Sequence, residues 1–290
     1  MDVRFGLAVS TSAREGADPV GDARHAESLG FDLVTVSDHL HGRHPSFETW
    51  TLLTWLAAGT ERISLAPTVL GLPYRSPPVV AKMAESLQRL SGGRLVLGLG
   101  GGGNDQEFHA FGLAVRRPAE KVQALEEEIE ILRGMWATSS FSFQGKHFRV
   151  EEAQIVPKPT RSIPIWLGTY GRRALELTGR LADGWNPSMP YAPPEVAAGM
   201  RERVLGAAEA AGRDPSEITC SYNVSVTLGE EAPAQPNTVT GGPSSVAEQL
   251  SGLVAAGFTF LVFWLRGGAE ARERMAAEVL PAVRDLAGRS

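Results

Sequence analysis

Leu33-Val34-Thr35-Val36-Ser37-Asp38-His39 begins with four apolar or β-branched residues and stops in a carboxylate and an imidazole. A run this short reads as a buried strand, because β-branched side chains suit the pleat and a helix needs a longer periodic stretch. The amphipathic segment Phe47 to Ala58 follows it, so one strand is paired with one helix. The same alternation extends to both sides. Upstream, Val3 to Val9 precedes a helix from Asp18 to Leu29. Downstream, Ile63 to Val69 precedes Pro77 to Leu90, whose first turn tolerates Pro77 and Pro78 because those positions have no intrahelical acceptor. Arg94 to Leu99 leads to Pro118 to Trp136, Pro164 to Leu167 leads to Arg172 to Leu181, and Gly184-Trp185-Asn186 leads to Pro194 to Ala211. Ile218 to Leu228 leads to Ser244 to Ala256, and Phe258 to Leu265 leads to Glu270 to Leu286. Strands followed by helices eight times over predict an α/β chain with a parallel sheet closed into a (β/α)8 TIM barrel. An open doubly wound sheet is the alternative, and it requires a topological switch point that the order of segments does not show.

Two stretches exceed the minimal barrel. Phe141 to Pro159 alternates polar and apolar residues around Gln144-Gly145 and predicts a hairpin inserted between the fourth helix and the fifth strand. Glu230 to Gly242, rich in Pro, Ala and Gly, predicts a long mobile loop after the seventh strand, placed where it could act as a lid. The whole of residues 1–290 is assigned to one barrel domain.

The 28 Lys plus Arg against 33 Asp plus Glu give a formal net charge of −5, which argues against nucleic acid as a partner. With 43% hydrophobic and 21% charged residues, the chain has apolar material enough to close a large core. The lone Cys220 can form no internal disulfide and fits a reducing cytosol, where it reads as a small buried hydrophobe. Met1 to Val9 carries Asp2 and Arg4 and does not read as a secretory signal. No uncharged apolar run approaches the roughly 20 residues of a membrane span. The expectation is a soluble, cytoplasmic protein with no membrane partner.

In such a barrel the loops at the C-terminal strand ends build the site, so the residues where each apolar run stops carry the chemistry. Asp38 and His39 end the second strand. An imidazole there can exchange a proton at neutral pH and an adjacent acid can orient it; equally, Asp38 can cap the following segment with His39 a polar loop residue. The fourth strand ends in Gly98-Leu99-Gly100-Gly101-Gly102-Gly103, a backbone bare enough to approach a ring or phosphate closely, or to act as a hinge. No Gly-Lys-Ser or Gly-Lys-Thr follows it, so it is not a Walker loop. Gly168-Thr169-Tyr170-Gly171-Arg172-Arg173 ends the fifth strand and opens into a helix, whose free N–H groups and two guanidiniums suit an anion. Arg172 and Arg173 read alternatively as solvated surface charges. Trp185-Asn186 adds an aromatic wall and an amide. The six histidines form no His-Glu-x-x-His helix, and a Gly-x-Ser-x-Gly elbow is missing, so neither a metal centre nor a serine hydrolase is expected.

Ser37-Asp38-His39, the glycine run continuing as Asn104-Asp105-Gln106-Glu107-Phe108-His109-Ala110-Phe111-Gly112, and Ala182-Asp183-Gly184-Trp185-Asn186 together resemble the bacterial luciferase-like monooxygenase superfamily. The resemblance runs from about Phe5 to about Val283 and implies a (β/α)8 barrel with an inserted segment, often dimeric. That superfamily uses flavin mononucleotide (FMN) or the 8-hydroxy-5-deazaflavin coenzyme F420. The Ser37-Asp38-His39 triplet is similar to that of the F420 branch, which implies an oxidoreductase moving a hydride between the deazaflavin and a small organic substrate. The alternative is an FMN-dependent monooxygenase supplied with reduced flavin by a partner reductase. Carried over by position, Asp38 and His39 resemble the catalytic pair, with Asp38 orienting His39. Thr68 and Val69 resemble a bulge behind the ring joined by a cis peptide. Gly100, Gly101, Gly102 and Gly103, with Gly168, Thr169, Tyr170, Gly171, Arg172 and Arg173, would hold the cofactor's phosphate and tail. Glu107 and Arg117 resemble a structural acid-base pair closing the insertion, and Glu15 would face the site. The deazaflavin glucose-6-phosphate dehydrogenases of that branch carry a tryptophan shortly after the histidine and a glutamate after the glycines. This chain has Leu40-His41-Gly42-Arg43 and Asn104, which puts a sugar-phosphate substrate in doubt. Many members have a tryptophan where Gly103 stands, so a more open pocket is expected.

Overall fold

A computed structural model describes residues 2–230, 233 and 235–289. In chain order the elements are β1 (Arg4–Ala8), α1 (Pro19–Ser28), β2 (Leu33–Val36), α2 (Thr49–Gly59), β3 (Ser64–Pro67), β4 (Leu70–Gly71), α3 (Pro77–Leu90), β5 (Leu97–Gly100) and α4 (Asp105–Ala110). There follow α5 (Pro118–Ala137), β6 (Phe141–Gln144), β7 (Arg149–Ala153), β8 (Ile165–Leu167), α6 (Arg172–Leu181), β9 (Gly184–Trp185) and α7 (Pro194–Ala210). The chain ends with β10 (Thr219–Leu228), β11 (Thr238–Gly241), α8 (Pro243–Ala255), β12 (Phe260–Arg266) and α9 (Gly268–Arg274), which runs through a π-helical turn, Met275–Val279, into α10 (Leu280–Arg289).

The helix starts follow from capping chemistry. Asp18 accepts from Gly21 N ahead of α1, Glu48 accepts from Trp50 N and Thr51 N ahead of α2, and α3 and α5 open on proline. The strands neighbour one another in the order β3, β2, β1, β12, β10, β9, β8, β5, β4, and every pairing along that path is parallel. A bridge between Leu65 and Leu95 closes β3 onto the start of β5, completing the (β/α)8 TIM barrel. In that ring β2 and β9 stand four strands apart, on opposite walls. Alternate side chains divide the core in two. Leu33, Ala66, Trp166, Phe260 and Val262 fill the barrel, whereas Val34, Leu65, Leu97, Leu167 and Phe263 pack outward against the helices.

Two features differ from the sequence reading, and one agrees with it. Thr238–Gly241 is strand β11, paired in parallel with Ser225–Leu228, so the end of the expected loop is fixed to the sheet. Residues 231, 232 and 234 of that loop lie outside the described residues. The glycine run leads directly into the short helix α4, which no apolar periodicity announced. The antiparallel hairpin β6–β7 stands between α5 and β8. Among the described residues no helix is long and apolar enough to cross a membrane.

Candidate active site

A cavity of about 620 Å³ opens at the C-terminal ends of the strands, where the barrel's alternation runs out of apolar side chains. Its wall includes Asp38, His39, Thr68, Val69 and Tyr74 from the β2 and β3 side, Gly100 to Asn104 and Glu107 from the β5 side, and Gly168, Tyr170, Asn186 and Asn223 opposite. A second cavity, about 690 Å³, lies at the N-terminal end among Arg4, Asp32, Trp166 and Asp183. Carboxylates there serve the backbone, Asp32 accepting from Phe5 N and Asp183 from Ile165 N, so the free chemistry sits at the C-terminal mouth.

His39 stands at that mouth with its Nδ1 2.8 Å from Glu107 Oε1. Glu107, buried on α4, also accepts from Asn104 Nδ2 at 2.7 Å and from Tyr74 Oη at 2.6 Å. Burial pushes the Glu107 carboxyl up, but the hydrogen bonds from Tyr74 and His39 outweigh it and leave the pKa below the usual carboxylate value. Burial, together with the hydrogen bond to Glu107, raises the Tyr74 phenol, so Tyr74 stays a donor. Glu107 is therefore ionised at neutral pH and accepts from His39 Nδ1, which leaves Nε2 outside that contact.

Asp38 does not orient His39. Its carboxylate receives Arg75 Nη1 at 2.8 Å, Arg75 Nη2 at 3.1 Å and Gly71 N at 2.9 Å. Arg75 is shared with Glu48, the α2 cap. The sequence neighbours Asp38 and His39 thus belong to two separate networks. Glu107 and Arg117 do not pair either: Arg117 bonds Glu120 at the start of α5, and the partner of Glu107 is His39.

The Thr68–Val69 peptide is cis, and the Val69 side chain lies against the glycine wall. A Cβ on Gly100 would sit 2.6 Å from Val69 Cγ2, and one on Gly98 would sit 2.1 Å from Pro67 O. Gly98 is therefore required by the close approach of β3 to β5, and Gly100 by the Val69 side chain that follows β3. Gly102 has φ +88° and holds the carbonyl that receives Lys121 Nζ at 2.9 Å. Gly103 has open space where a Cβ would stand and faces the cavity.

On the far wall, Gly168 and Tyr170 line the cavity, and Tyr170 packs on Tyr191 with ring centroids 5.5 Å apart. Thr169 is buried behind them, its hydroxyl 2.7 Å from Thr178 Oγ1. Gly171 caps α6 without a side-chain bond, while Arg172 and Arg173 lie exposed outside the cavity lining. Arg172 Nε is held by Glu176 at 2.9 Å. Trp185 is core and forms no part of the wall: it is fully buried and donates Nε1 to Thr169 O at 2.9 Å. Glu15 is exposed and absent from the lining. Sequence reasoning missed Tyr74, Asn223 and Tyr191. Tyr74 had a signal in Gly71-Leu72-Pro73-Tyr74-Arg75, a turn immediately after the bulge.

The residues fit a flat, ring-shaped ligand. A glycine and valine wall faces two asparagines across the mouth, and Asn223 Oδ1 is buried without a hydrogen-bond partner.

Residues 4–235 match the sequence profile described as luciferase-like monooxygenase. The chain is similar to an F420-dependent glucose-6-phosphate dehydrogenase of Nakamurella multipartita, 31% identical over 78% of this chain and 68% of that one. It is also similar to a 5,10-methylenetetrahydromethanopterin reductase of Methanolobus tindarius, 30% identical over 80% of this chain and 72% of that one. In fold it is similar to an F420-dependent secondary alcohol dehydrogenase solved with an F420-acetone adduct, with TM-score 0.88 and 18% identity over 98% of this chain and 100% of that one.

Proposed function

Because the chain belongs to the luciferase-like monooxygenase family, we propose that it is a coenzyme F420-dependent oxidoreductase that transfers a hydride between the deazaflavin and a small organic substrate. The observation that carries this reading is the placement of His39, tied to the buried carboxylate of Glu107, on the rim of a cavity walled by Val69 and glycine. Relatives named as F420-dependent cover most of the chain and support the choice of cofactor. When bound, the deazaflavin supplies a ring carbon that accepts or releases a hydride.

The chain's residues do the rest. With Nδ1–H directed to Glu107, the Nε2 of His39 takes the hydroxyl proton from an alcohol substrate and returns it in the reductive direction. Gly100 to Gly103 let the backbone approach the ligand, and the open N-terminus of α6 offers N–H groups for the phosphate. The substrate is uncharged. Among the described residues no Lys or Arg lines the cavity, and Arg75, the cation beside it, is taken up by Asp38 and Glu48. A phosphate group would meet Asp38 and Glu107 with no free cation to offset them, so the sugar phosphate named for the relative does not carry over.

The test is to supply oxidised F420 with uncharged alcohols, and reduced F420 with uncharged carbonyls, and follow the oxidised chromophore's visible absorbance. Turnover with such compounds, and none with glucose 6-phosphate, is the expected result. Oxygen-dependent product formation with FMN and a flavin reductase, and none with F420, would establish the monooxygenase reading instead.

The homodimer belongs to the same proposal. Trp55 on α2 and Val79 and Leu90 on α3 are large exposed apolar side chains that a second copy would cover. The buried lone thiol of Cys220 fits a cytoplasmic setting.

A further inference from the structure

On the cavity wall opposite β2, a cluster of amides and hydroxyls takes no part in the His39 chemistry. Asn186 Oδ1 lies 2.9 Å from Ser221 Oγ and 2.7 Å from Asn223 Nδ2, so both its lone pairs are filled and the carboxamide cannot flip. Asn223 Nδ2 also lies 3.1 Å from both Pro187 O and Ser188 Oγ, which fixes the second amide in turn. Asn186 is 2% exposed and Asn223 4%, and both line the cavity. What stays open is Asn186 Nδ2, which donates to no group among the described residues.

Its place in the barrel says what it meets. Asn186 follows β9, on the wall opposite β2, which ends at His39. The Asn186 main-chain carbonyl is 3.7 Å from where a Gly168 Cβ would stand, and that same position is 3.1 Å from Val69 Cγ1. A flat ring resting on Val69, Gly100 and Gly168 therefore has an edge toward Asn186. The pyrimidine edge of a deazaflavin carries two carbonyl oxygens, which accept N–H donors, on either side of a ring N–H.

We propose that Asn186 is a cofactor-binding residue: its carboxamide donates to a pyrimidine carbonyl oxygen of the deazaflavin ring and sets the ring's lateral position against His39. This rests on the F420 reading above. Ser221 and Asn223 act through it, as positioning residues that hold the donor.

The test is an equilibrium titration of the full chain with oxidised F420, followed by the change in the ring's visible absorbance, which needs no turnover. Asn186→Asp keeps the oxygen that Ser221 and Asn223 bind and exchanges the free donor for an acceptor. It should weaken binding by roughly tenfold or more and alter the bound spectrum, while Asn186→Ala should weaken it by roughly three- to tenfold. Asn223→Ser, which removes one of the two bonds that hold Asn186 Oδ1, should weaken binding less than either. Near-ultraviolet circular dichroism matching the unaltered chain shows that the fold is kept, and Asn223→Ser carries the test if the other two fail to fold. Normal binding by the unaltered chain with every folded variant within about twofold of it would overturn the assignment alone. Failure of the unaltered chain to bind F420 would overturn the cofactor reading and this assignment with it.

Discussion

His39 Nε2 is the one imidazole nitrogen that the Glu107 contact leaves to the cavity. A positioned acid or base typically supplies about 10²- to 10⁴-fold in rate, so His39→Ala should lower turnover by that order with much less change in F420 affinity. Glu107→Gln should lower turnover by roughly tenfold or more at similar affinity, because a neutral amide still accepts from Nδ1 but no longer balances an imidazolium. Asp38→Asn should behave differently, costing stability of about 1–3 kcal/mol in a melting experiment by weakening the buried pair with Arg75. Asp38 and His39 were legible in the sequence because they end an apolar run. The Glu107 contact was not, since it spans 68 residues and is made by the fold, while adjacency pointed wrongly to Asp38. Glu128 supports a separate test. Burial pushes its carboxyl up to about 8, and its Oε2 has no hydrogen-bond partner. The folded state thus holds this proton where the unfolded chain, near 4.5, has released it. Its contribution to stability is full below about pH 4.5, falls as pH rises and levels off above about pH 8. Denaturant titrations of Glu128→Gln should show a flatter stability profile across that window than the unaltered chain.

Among the elements, β5 and its glycine tail carry two kinds of glycine, and composition alone does not separate them. Gly98→Ala would press a Cβ to 2.1 Å from the Pro67 carbonyl, which cannot yield without parting β3 from β5. Thermal unfolding should report a loss of about 1–3 kcal/mol or more, whereas Gly103→Ala, in open space, should stay within about 0.5 kcal/mol. The N-terminus of α6 offers a similar contrast. Arg172 is tethered to Glu176 and Arg173 has no bonded partner among the described residues. If cofactor phosphate docks at that helix start, Arg173→Ala should weaken F420 binding by about 1–3 kcal/mol and Arg172→Ala by less. Equal, negligible effects at moderate salt would make both surface charges and leave the phosphate to backbone N–H groups. The limits of α3 and α6 could be read to the residue, because proline and glycine mark where the hydrogen-bond ladder starts or stops. β11 and α4 escaped notice: each is short, and each is held by tertiary contact where no apolar period of its own exists.

For the whole molecule, eightfold alternation was enough to read the barrel, since a strand and helix repeat leaves few ways to bury both faces of a parallel sheet. What it could not show is which strand ends face each other. Closure of β3 on β5 puts the Asp38 and His39 end of β2 opposite the Asn186 end of β9 and so turns separate motifs into one polar-lipped cavity. The outer face carries exposed Trp55, Val79 and Leu90, and light scattering should return about twice the chain mass, falling toward the monomer in a Trp55→Glu and Leu90→Glu double variant. The central proposal is the F420-dependent reaction at the β2–β9 mouth, and side-by-side equilibrium titration of the purified chain with oxidised F420 and with FMN tests it most directly. F420 should bind at least about tenfold more tightly. FMN binding tighter by that margin would refute the deazaflavin reading.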